Sequence, residues 1–285
     1  MPNSRISFRR QLTNYFFTGL SAGVSVLVVG VLVAIFAYLT IKGAGSINWA
    51  FLTQAQKPVG EAGGGMAHAL VGSLIILAIA SLFGVPIGIG AGIYLAEYGR
   101  NRLGQLVRFT ADVLNGVPSI VIGLVAWALV VLPQSHFSAF AGGVALAIMM
   151  VPTITRSTEE MLLLVPQAIR EAALGLGIPQ WRTTVSITLP SAASGIITAV
   201  MLAFARVAGE TAPLLFTAFG NTFWSFSANQ PIAALPLQIF NYAISPYEEW
   251  HRQAWAGALV LVIFIVGTTT LVRFLFLRRM LGEAR

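Results

Sequence analysis

The chain has 285 residues, of which 56% are hydrophobic and only 9% are charged. With a mean hydropathy of +0.81, it has too little polar surface for a soluble domain, so the composition predicts a polytopic membrane protein. It contains no cysteine, which excludes disulfide bonds and thiolate metal sites, and its three histidines lie too far apart in sequence to indicate a metal site.

The first predicted span lies between Gln11 and Ile41, a stretch without any charged residue. It is long enough to cross a bilayer at a tilt, and longer than the apolar core of a cleavable signal peptide. We therefore expect a retained first helix, preceded by a cytoplasmic segment over residues 1–16. A loop containing three consecutive glycines follows over residues 42–66.

Five more spans are predicted downstream, which gives an all-α membrane domain of six transmembrane helices over residues 17–275 and a cytoplasmic tail over 276–285. Gly, Pro and polar residues mark the turns between them. The spans cover about 67–96, two helices between Asp112 and Arg156 that meet at a turn near Pro133, 193–218 and 253–272.

The formal net charge is +7, and its distribution decides what it means. The predicted loops on the side of the two termini hold most of the 17 lysines and arginines, whereas the opposite loops hold Lys42, Lys57 and Arg252. The positive-inside rule therefore predicts that both termini lie in the cytoplasm. Because the positive charge is explained by topology, nothing indicates nucleic-acid binding.

A long amphipathic interruption separates the fourth and fifth spans, within a predicted cytoplasmic loop over residues 153–192. Its central part reads QAIREAALGLGIPQWRTTVSITLP. Pro166 favours a helix start, and the run from Gly177 to Pro179 predicts a sharp break. We expect a second short helix over about 180–188, ended by Pro190. On its own the pattern also fits a helix that lies on the membrane surface.

Two charged residues fall inside the fifth predicted span, which reads MLAFARVAGETAPLLFTAF. As a continuous helix, this sequence places Arg206 and Glu210 one turn apart on one face, with a kink near Pro213. An ion at the bilayer centre costs roughly 2.5 to 3.5 kcal/mol, so the pair should face the bundle interior. Arg206 could contact an oxyanion while Glu210 holds and neutralises it, or the two could form a structural ion pair.

The third span contains the run Asn115-Gly116-Val117-Pro118-Ser119. Pro118 could bend a helix beside a substrate site, or it could mark a helix start with Asp112 near the N-terminus of the span. On the cytoplasmic side, the simplest interpretation of Glu159 and Glu160 is a solvated face. A contact with a partner protein is the alternative.

The amphipathic loop resembles the EAA loop of ABC-importer permeases. Glu171-Ala172-Ala173, Gly177, Ile187 and Leu189-Pro190 stand at the spacing of that motif. The resemblance implies the type I, MetI-like permease fold and a coupling helix that docks on a cytoplasmic ATPase. The residues expected to dock are Glu171, Ala172, Ala173, Gly177, Ile178 and Pro179.

Further runs resemble the permease subunits of bacterial phosphate-specific ABC importers. They are LNGVPSIVIGL, MVPTITRSTEEMLLLVP, ARVAGETAPLL and ALPLQIFNYA, and together they cover the chain from about residue 64 to the sixth span. The first 60 residues match only in general pattern. The resemblance implies a role in phosphate import, with a substrate path that includes Arg206, Glu210, Thr211, Asn115 and Ser119.

The chain has no GxxxxGK[ST] run, and its only lysines are Lys42 and Lys57, so we expect no ATP site and no enzymatic activity of its own. The resemblance implies that ATP and Mg are bound by a partner. The implied partners are a PstC-type second permease as heterodimer, two copies of a PstB-type ATPase and an extracytoplasmic PstS-type phosphate-binding protein. The implied location is the bacterial plasma membrane.

Two other functions stay open at this level. The chain could be an ABC permease for another oxyanion, such as molybdate or sulfate. It could also be an ion-coupled secondary transporter in which Arg206 and Glu210 relay protons, although the EAA spacing favours an ATPase partner.

Overall fold

A computed structural model describes residues 8–58, 61 and 63–283. Within them the chain is almost entirely helical, which confirms the predicted all-α class. Five helices are long and apolar enough to cross a membrane, and a bent pair makes a sixth candidate. The helices are α1 (Phe8–Gly43), α2 (Trp49–Thr53), α3 (Ala67–Glu97), α4 (Arg102–Gly116), α5 (Ser119–Ala126), α6 (Leu132–Gln134), α7 (Ala139–Leu163), α8 (Gln167–Gly175), α9 (Gln180–Thr183), α10 (Leu189–Ala208), α11 (Ala212–Leu215), α12 (Leu235–Ala243) and α13 (Glu248–Glu283).

The centre of the bundle is the packing of α3 against α7, and small residues on α3 make it close. A methyl group added at Gly88 would lie 2.7 Å from Cβ of Ile154, and one at Gly92 would lie 2.5 Å from Cβ of Thr158. Membrane helices associate through such small-residue faces, because lipid supplies no hydrophobic drive between them. Around this contact, α5, α10 and α11 complete the main core with Ile122, Val207 and Leu214.

The third span is shorter than the sequence indicates, because the chain bends by 110° between α4 and α5. Val117 and Pro118 are extended, with ψ angles of 133° and 136°, and Ser119 begins α5. Of the two interpretations of Pro118, the helix start is the one observed. Asp112 lies in α4, before the bend, and so does not sit at the N-terminus of the span.

The loop between α7 and the fifth span is also shorter than predicted. Residues 153–163 continue α7, and Pro190 does not end a helix, since Gln180–Ala208 is one continuous helical stretch. A wider π turn over Thr184–Thr188 lets Leu189 donate its N–H to the carbonyl of Thr184. That turn opens the hydrogen-bond ladder at the point where the Pro190 ring would otherwise meet a carbonyl one turn earlier.

The fifth span ends ten residues before its predicted end. Ala208 is the last helical residue of α10, and Gly209 caps it with φ −96° and ψ 0°. The short α11 follows, with Pro213 in its first turn. The structure therefore has a break where the sequence suggested a kinked but continuous helix.

The two ends of the bundle are built differently. At one end, a cavity of about 500 Å³ is lined by residues of α7, α10 and α13, including Ser157, Ser194 and Arg273. At the other end, α2 and α12 pack with the starts of α3 and α13 through Phe51, Met66 and Tyr242 in a second core. The α8 segment belongs to the first end, because it joins the C-terminus of α7 to the start of the fifth span.

Candidate coupling and translocation sites

Helix α8 is a short, sharply bounded unit, as the sequence predicts. It begins directly after Pro166, and at its end Gly177 takes a left-handed conformation with φ +79°. The Gly177 N–H donates to the carbonyl of Leu174 at 2.9 Å, and the Ile178 N–H donates to the carbonyl of Ala173 at 3.1 Å. These bonds satisfy carbonyls that the helix end would otherwise leave free.

Most of the predicted docking residues lie on the surface of this unit. Glu171, Ala172, Gly177 and Pro179 are exposed, Ile178 is half-buried and Ala173 is buried. Three large apolar side chains beside them are exposed by 50%, 81% and 63%, namely Leu174, Leu176 and Trp181. An exposed apolar patch of this kind is typical of a surface that binds another protein.

An arginine outside the predicted sites fixes α8 to the bundle. Arg170 lies 3.1 Å from the carboxylate of Glu97, the last residue of α3, and donates to the carbonyls of Leu162 and Val165 at 2.7 and 2.9 Å. The amide of Gln180 donates to the Glu97 carbonyl at 3.1 Å. Helix α8 and the start of α9 are therefore tied to the ends of both central helices, α3 and α7. The sequence signal for this contact is Glu97, a single carboxylate in the last turn of an apolar span.

Glu159 is not part of a solvated face, which corrects the expectation from sequence. Its side chain is 3% exposed and lies between two guanidinium groups, with Arg108 Nε and Arg156 Nη1 each at 2.5 Å. Arg156 also contacts Asp112 at 2.9 Å. A buried carboxylate needs such partners because desolvation of an unpaired charge is costly. Glu160, the next residue, is exposed as expected.

Arg206 and Glu210 do not form the predicted pair on one helical face. Arg206 is exposed in the last turn of α10, and Glu210 lies half-buried beyond the helix end. Neither side chain has a hydrogen bond or ion pair within the described residues. The reason is that α10 ends before Gly209, so the backbone no longer holds the i and i+4 positions together. The guanidinium can interact favourably with the C-terminal end of the helix dipole.

The other predicted path residues lie around the two breaks. Asn115 accepts a hydrogen bond from the Thr153 hydroxyl at 2.9 Å, Ser119 opens α5 and Thr211 immediately precedes α11. Helices α5 and α11 are in direct contact, since a methyl group added at Gly123 would lie 2.6 Å from Cα of Pro213. The helices that follow the two breaks, α5 after Pro118 and α11 after Glu210, are therefore neighbours. The five predicted path residues nevertheless form no single hydrogen-bonded cluster in the described part of the chain.

Comparison with known proteins gives consistent matches. Residues 88–281 match the family described as the binding-protein-dependent transport system inner membrane component. The chain is 47% identical over 239 residues to a protein of Yersinia pestis named phosphate transport system permease protein PstA, which covers 84% of this chain and 81% of that protein. A Haemophilus influenzae protein of the same name is 46% identical over 239 residues and covers 84% of both.

A solved structure of the MetNI methionine ABC transporter in an inward-facing conformation has a similar fold. It aligns with a TM-score of 0.61 at 19% identity and covers 75% of this chain and 96% of that chain. At this identity the likeness supports the fold alone.

Proposed function

Because this chain belongs to the binding-protein-dependent transport system inner membrane components, and within them to the PstA permeases, we propose that it moves phosphate across the inner membrane. It is the membrane-spanning permease subunit of an ATP-driven importer, and it is not itself an enzyme. ATP is hydrolysed by a separate subunit. The observation that carries the transport role is a surface-exposed helix, α8, tied by Arg170 to both central helices of the bundle.

The permease works with an ATPase and with permease partners. More specifically, we assign it a PstC-type permease as heterodimer partner and two PstB-type ATPases that bind ATP and Mg. A PstS-type binding protein then delivers phosphate on the outer face. The exposed Leu174, Leu176 and Trp181 beside the EAA residues support the docking of α8 on the ATPase.

The chain is a multi-pass inner-membrane protein. We place both termini and α8 on the cytoplasmic side, which the concentration of arginines in the connecting segments around α4 and α8 supports. With this orientation, the second core formed by α2 and α12 faces the outside, where substrate arrives.

The substrate path is assigned to the face of α10 that carries Arg206. An exposed guanidinium against lipid costs several kcal/mol, so this face is expected to meet the second permease or water. Arg206 can offer paired N–H groups to a phosphate without first breaking an ion pair. Thr211, Asn115 and Ser119 add neutral donors near the breaks. Glu210 places a negative charge close to the path, which keeps anion affinity weak enough for release.

ATP binding would close the partner ATPase dimer and displace α8. Because Arg170 and Gln180 bind the last turn of α3, that displacement is transmitted to the central helices as a rigid movement. The two permease halves then rock, and access to the site switches from outside to inside.

The test is reconstitution of the full complex in proteoliposomes with the binding protein outside the vesicle membrane. We expect phosphate uptake that requires ATP on the ATPase side and is not inhibited by excess sulfate or molybdate. Strong competition by either anion would assign the chain to that oxyanion instead. Uptake driven by an ion gradient without ATP would refute the ABC mechanism.

A further inference from the structure

Helix α4 is joined to α7 by a row of polar contacts, which we call the α4–α7 seam. Arg108, Asp112 and Asn115 recur at one-turn spacing on one face of α4. Their partners on α7 run in the opposite direction. The pairs are Arg108 with Glu159 at 2.5 Å, Asp112 with Arg156 at 2.9 Å and Asn115 with Thr153 at 2.9 Å.

The seam is charge-balanced, and both oxygens of its buried carboxylate have a partner. Glu159 receives one guanidinium on each carboxylate oxygen, from Arg108 and from Arg156. The four ionised groups sum to zero net charge. Because a buried carboxylate with two fixed guanidinium partners loses much if either partner moves away, the contact favours one geometry of α4 against α7.

At its lower end the seam reaches the coupling helix through the last turn of α3. All three guanidinium nitrogens of Arg108 are engaged, because Nη1 and Nη2 donate to the carbonyls of Gly99 and Leu95 at 2.8 Å each. Glu97 lies between Leu95 and Gly99 in the sequence, and it accepts hydrogen bonds from Arg170 of α8 on its carboxylate and from the Gln180 side chain on its carbonyl. The end of α3 therefore has hydrogen bonds both to α4 and to the segment of α8 and α9.

At its upper end the seam stops two residues before the break that opens the substrate path. Asn115 is the last seam residue, Val117 and Pro118 form the 110° bend, and α5 follows. Val117 packs against the main core, and α5 contacts α11 at Pro213. A movement of α4 that preserves the seam must therefore displace the start of α5.

We propose that the α4–α7 seam, anchored at its lower end by Glu159, is a rigid strut that carries the displacement of α8 to the break at Val117–Pro118. Arg108, Glu159 and Thr153 are thus positioning residues for transport and contact neither ATP nor phosphate. This inference rests on the proposed function, because it requires that α8 is moved by an ATPase. Without the seam, ATP hydrolysis would continue while its movement no longer reaches the substrate path.

The first measurement is phosphate transported per ATP hydrolysed by the reconstituted complex. Arg108→Gln removes the charge pair with Glu159 at the lower end of the seam, and Thr153→Val removes the hydrogen bond at its upper end at nearly constant volume. We expect this ratio to fall at least about fivefold in Arg108→Gln, as for the loss of a typical coupling energy, and to fall in the same direction in Thr153→Val. Arg102→Gln removes an exposed charge from the same helix, and Thr153→Ser keeps the hydroxyl, so both should retain the ratio.

A ratio unchanged in Thr153→Val and in assembled Arg108→Gln would overturn the proposal. If Arg108→Gln does not assemble, Thr153→Val against Thr153→Ser decides alone. A ratio that falls equally in Arg102→Gln would also overturn it, because the effect would then follow from charge loss anywhere on α4.

The second measurement does not depend on phosphate. The chain has no cysteine, so spin labels can be attached through Ala168→Cys in the first turn of α8 and Ile120→Cys at the start of α5, both exposed positions outside the residues assigned to docking and to the substrate path. With the seam intact, ATP should leave the distance between the labels unchanged, whereas in Arg108→Gln it should shift. A shift with the seam intact would refute the rigid strut. Absence of phosphate uptake by the unaltered complex would instead refute the proposed function.

Discussion

Charged residues have opposite environments in two regions of the molecule. The first is the coupling end, where α8 meets the ends of α3 and α7. The second is the proposed translocation region, around the breaks at Val117–Pro118 and Gly209–Glu210. At the coupling end, the two buried carboxylates, Glu97 and Glu159, are 6% and 3% exposed and both contact guanidinium groups. In the translocation region, Arg206 and Glu210 have no side-chain partner among the described residues. Paired charges hold parts of a protein in one geometry, whereas an unpaired cation is available to an anion that arrives and leaves. The charges that hold helices together are thus distinct from the charge expected to meet substrate.

The backbone shows the same contrast. At the coupling end the long helices α3 and α7 run unbroken to their last turns, and the short α8 is closed by hydrogen bonds around Gly177. The translocation region contains the two breaks, at Val117–Pro118 and at Gly209–Glu210. Broken helices beside a central site are a general device of transporters, because they let backbone polar groups face a cavity.

Arg206→Gln removes the cation that has no partner among the described residues. If the free guanidinium contacts the anion, its loss should lower ATP-dependent phosphate uptake at least about 30-fold, in line with the 2 kcal/mol or more for losing one partner of a charged contact. Assembly with the ATPase should be intact, because Arg206 has no partner to leave unpaired. Uptake in proteoliposomes and co-purification are the measurements, with Arg102→Gln as the matched control. Loss of assembly together with uptake would indicate a structural role.

The coupling end should respond with loss of stability. Glu159→Ala leaves two guanidinium groups without their buried partner, and removing one member of such a pair typically costs about 3–5 kcal/mol. We expect a marked decrease in the thermal unfolding midpoint of the purified complex. Glu160→Ala, at the exposed neighbouring position, should change stability by no more than about 0.5 kcal/mol. Equal effects of the two variants would contradict the paired, buried environment of Glu159.

Gly123→Ala tests how tightly the translocation region is packed. The added methyl group would lie 2.6 Å from the backbone of Pro213, so α5 and α11 would have to separate. Overpacking of this kind costs about 1–3 kcal/mol, and uptake should fall while the ATPase stays bound. Gly116→Ala is the control, because nothing lies within 4 Å of a methyl group added there. Normal uptake by Gly123→Ala would show that the two breaks need not remain in contact.

The left-handed residue after α8, Gly177, can be tested by a substitution with a modest effect. Gly177 has φ +79°, so Gly177→Ala should destabilise the end of the helix by about 1 kcal/mol, the cost of a left-handed conformation for a residue with a side chain. We expect a severalfold weaker retention of the ATPase during purification. Gly175, the last residue of α8, has an ordinary φ and nothing within 4 Å of an added methyl group. Gly175→Ala should therefore leave retention of the ATPase unchanged. Equal retention by the two variants would argue against a role of the cap in docking.

Local rules were enough to predict the membrane class, the approximate positions of the spans and the limits of α8. Charge-free runs set the spans, and Pro166 and Gly177 act on their own backbone whatever surrounds them. The prediction that Pro190 ends a helix was wrong, because the effect of this proline depends on the backbone around it. Its tolerance within a helix depends on the π turn over Thr184–Thr188, and such a turn has no clear sequence signal.

The charged contacts could not be predicted from spacing along the chain. Arg108 and Glu159 are 51 positions apart, and Glu97 and Arg170 are 73 apart. Only the tertiary packing of α3, α4, α7 and α8 brings them together. The prediction of an Arg206–Glu210 pair was wrong because the i, i+4 rule requires a continuous helix. Helix α10 ends at Ala208, before Glu210 is reached.

Helix α1 stands apart from the rest of the bundle. Its 36 residues make a rod about 54 Å long, yet Leu39 and Gly43, both near its C-terminal end, are its only buried residues among those whose side chains are described. There Tyr38 and Gly43 contact Trp255 of α13. For a rod fastened at one end, a tilt of about 10° would sweep the opposite end through about 9 Å. Its angle in the bilayer is therefore set by the lipids and proteins beside it, and can vary without disturbing the core.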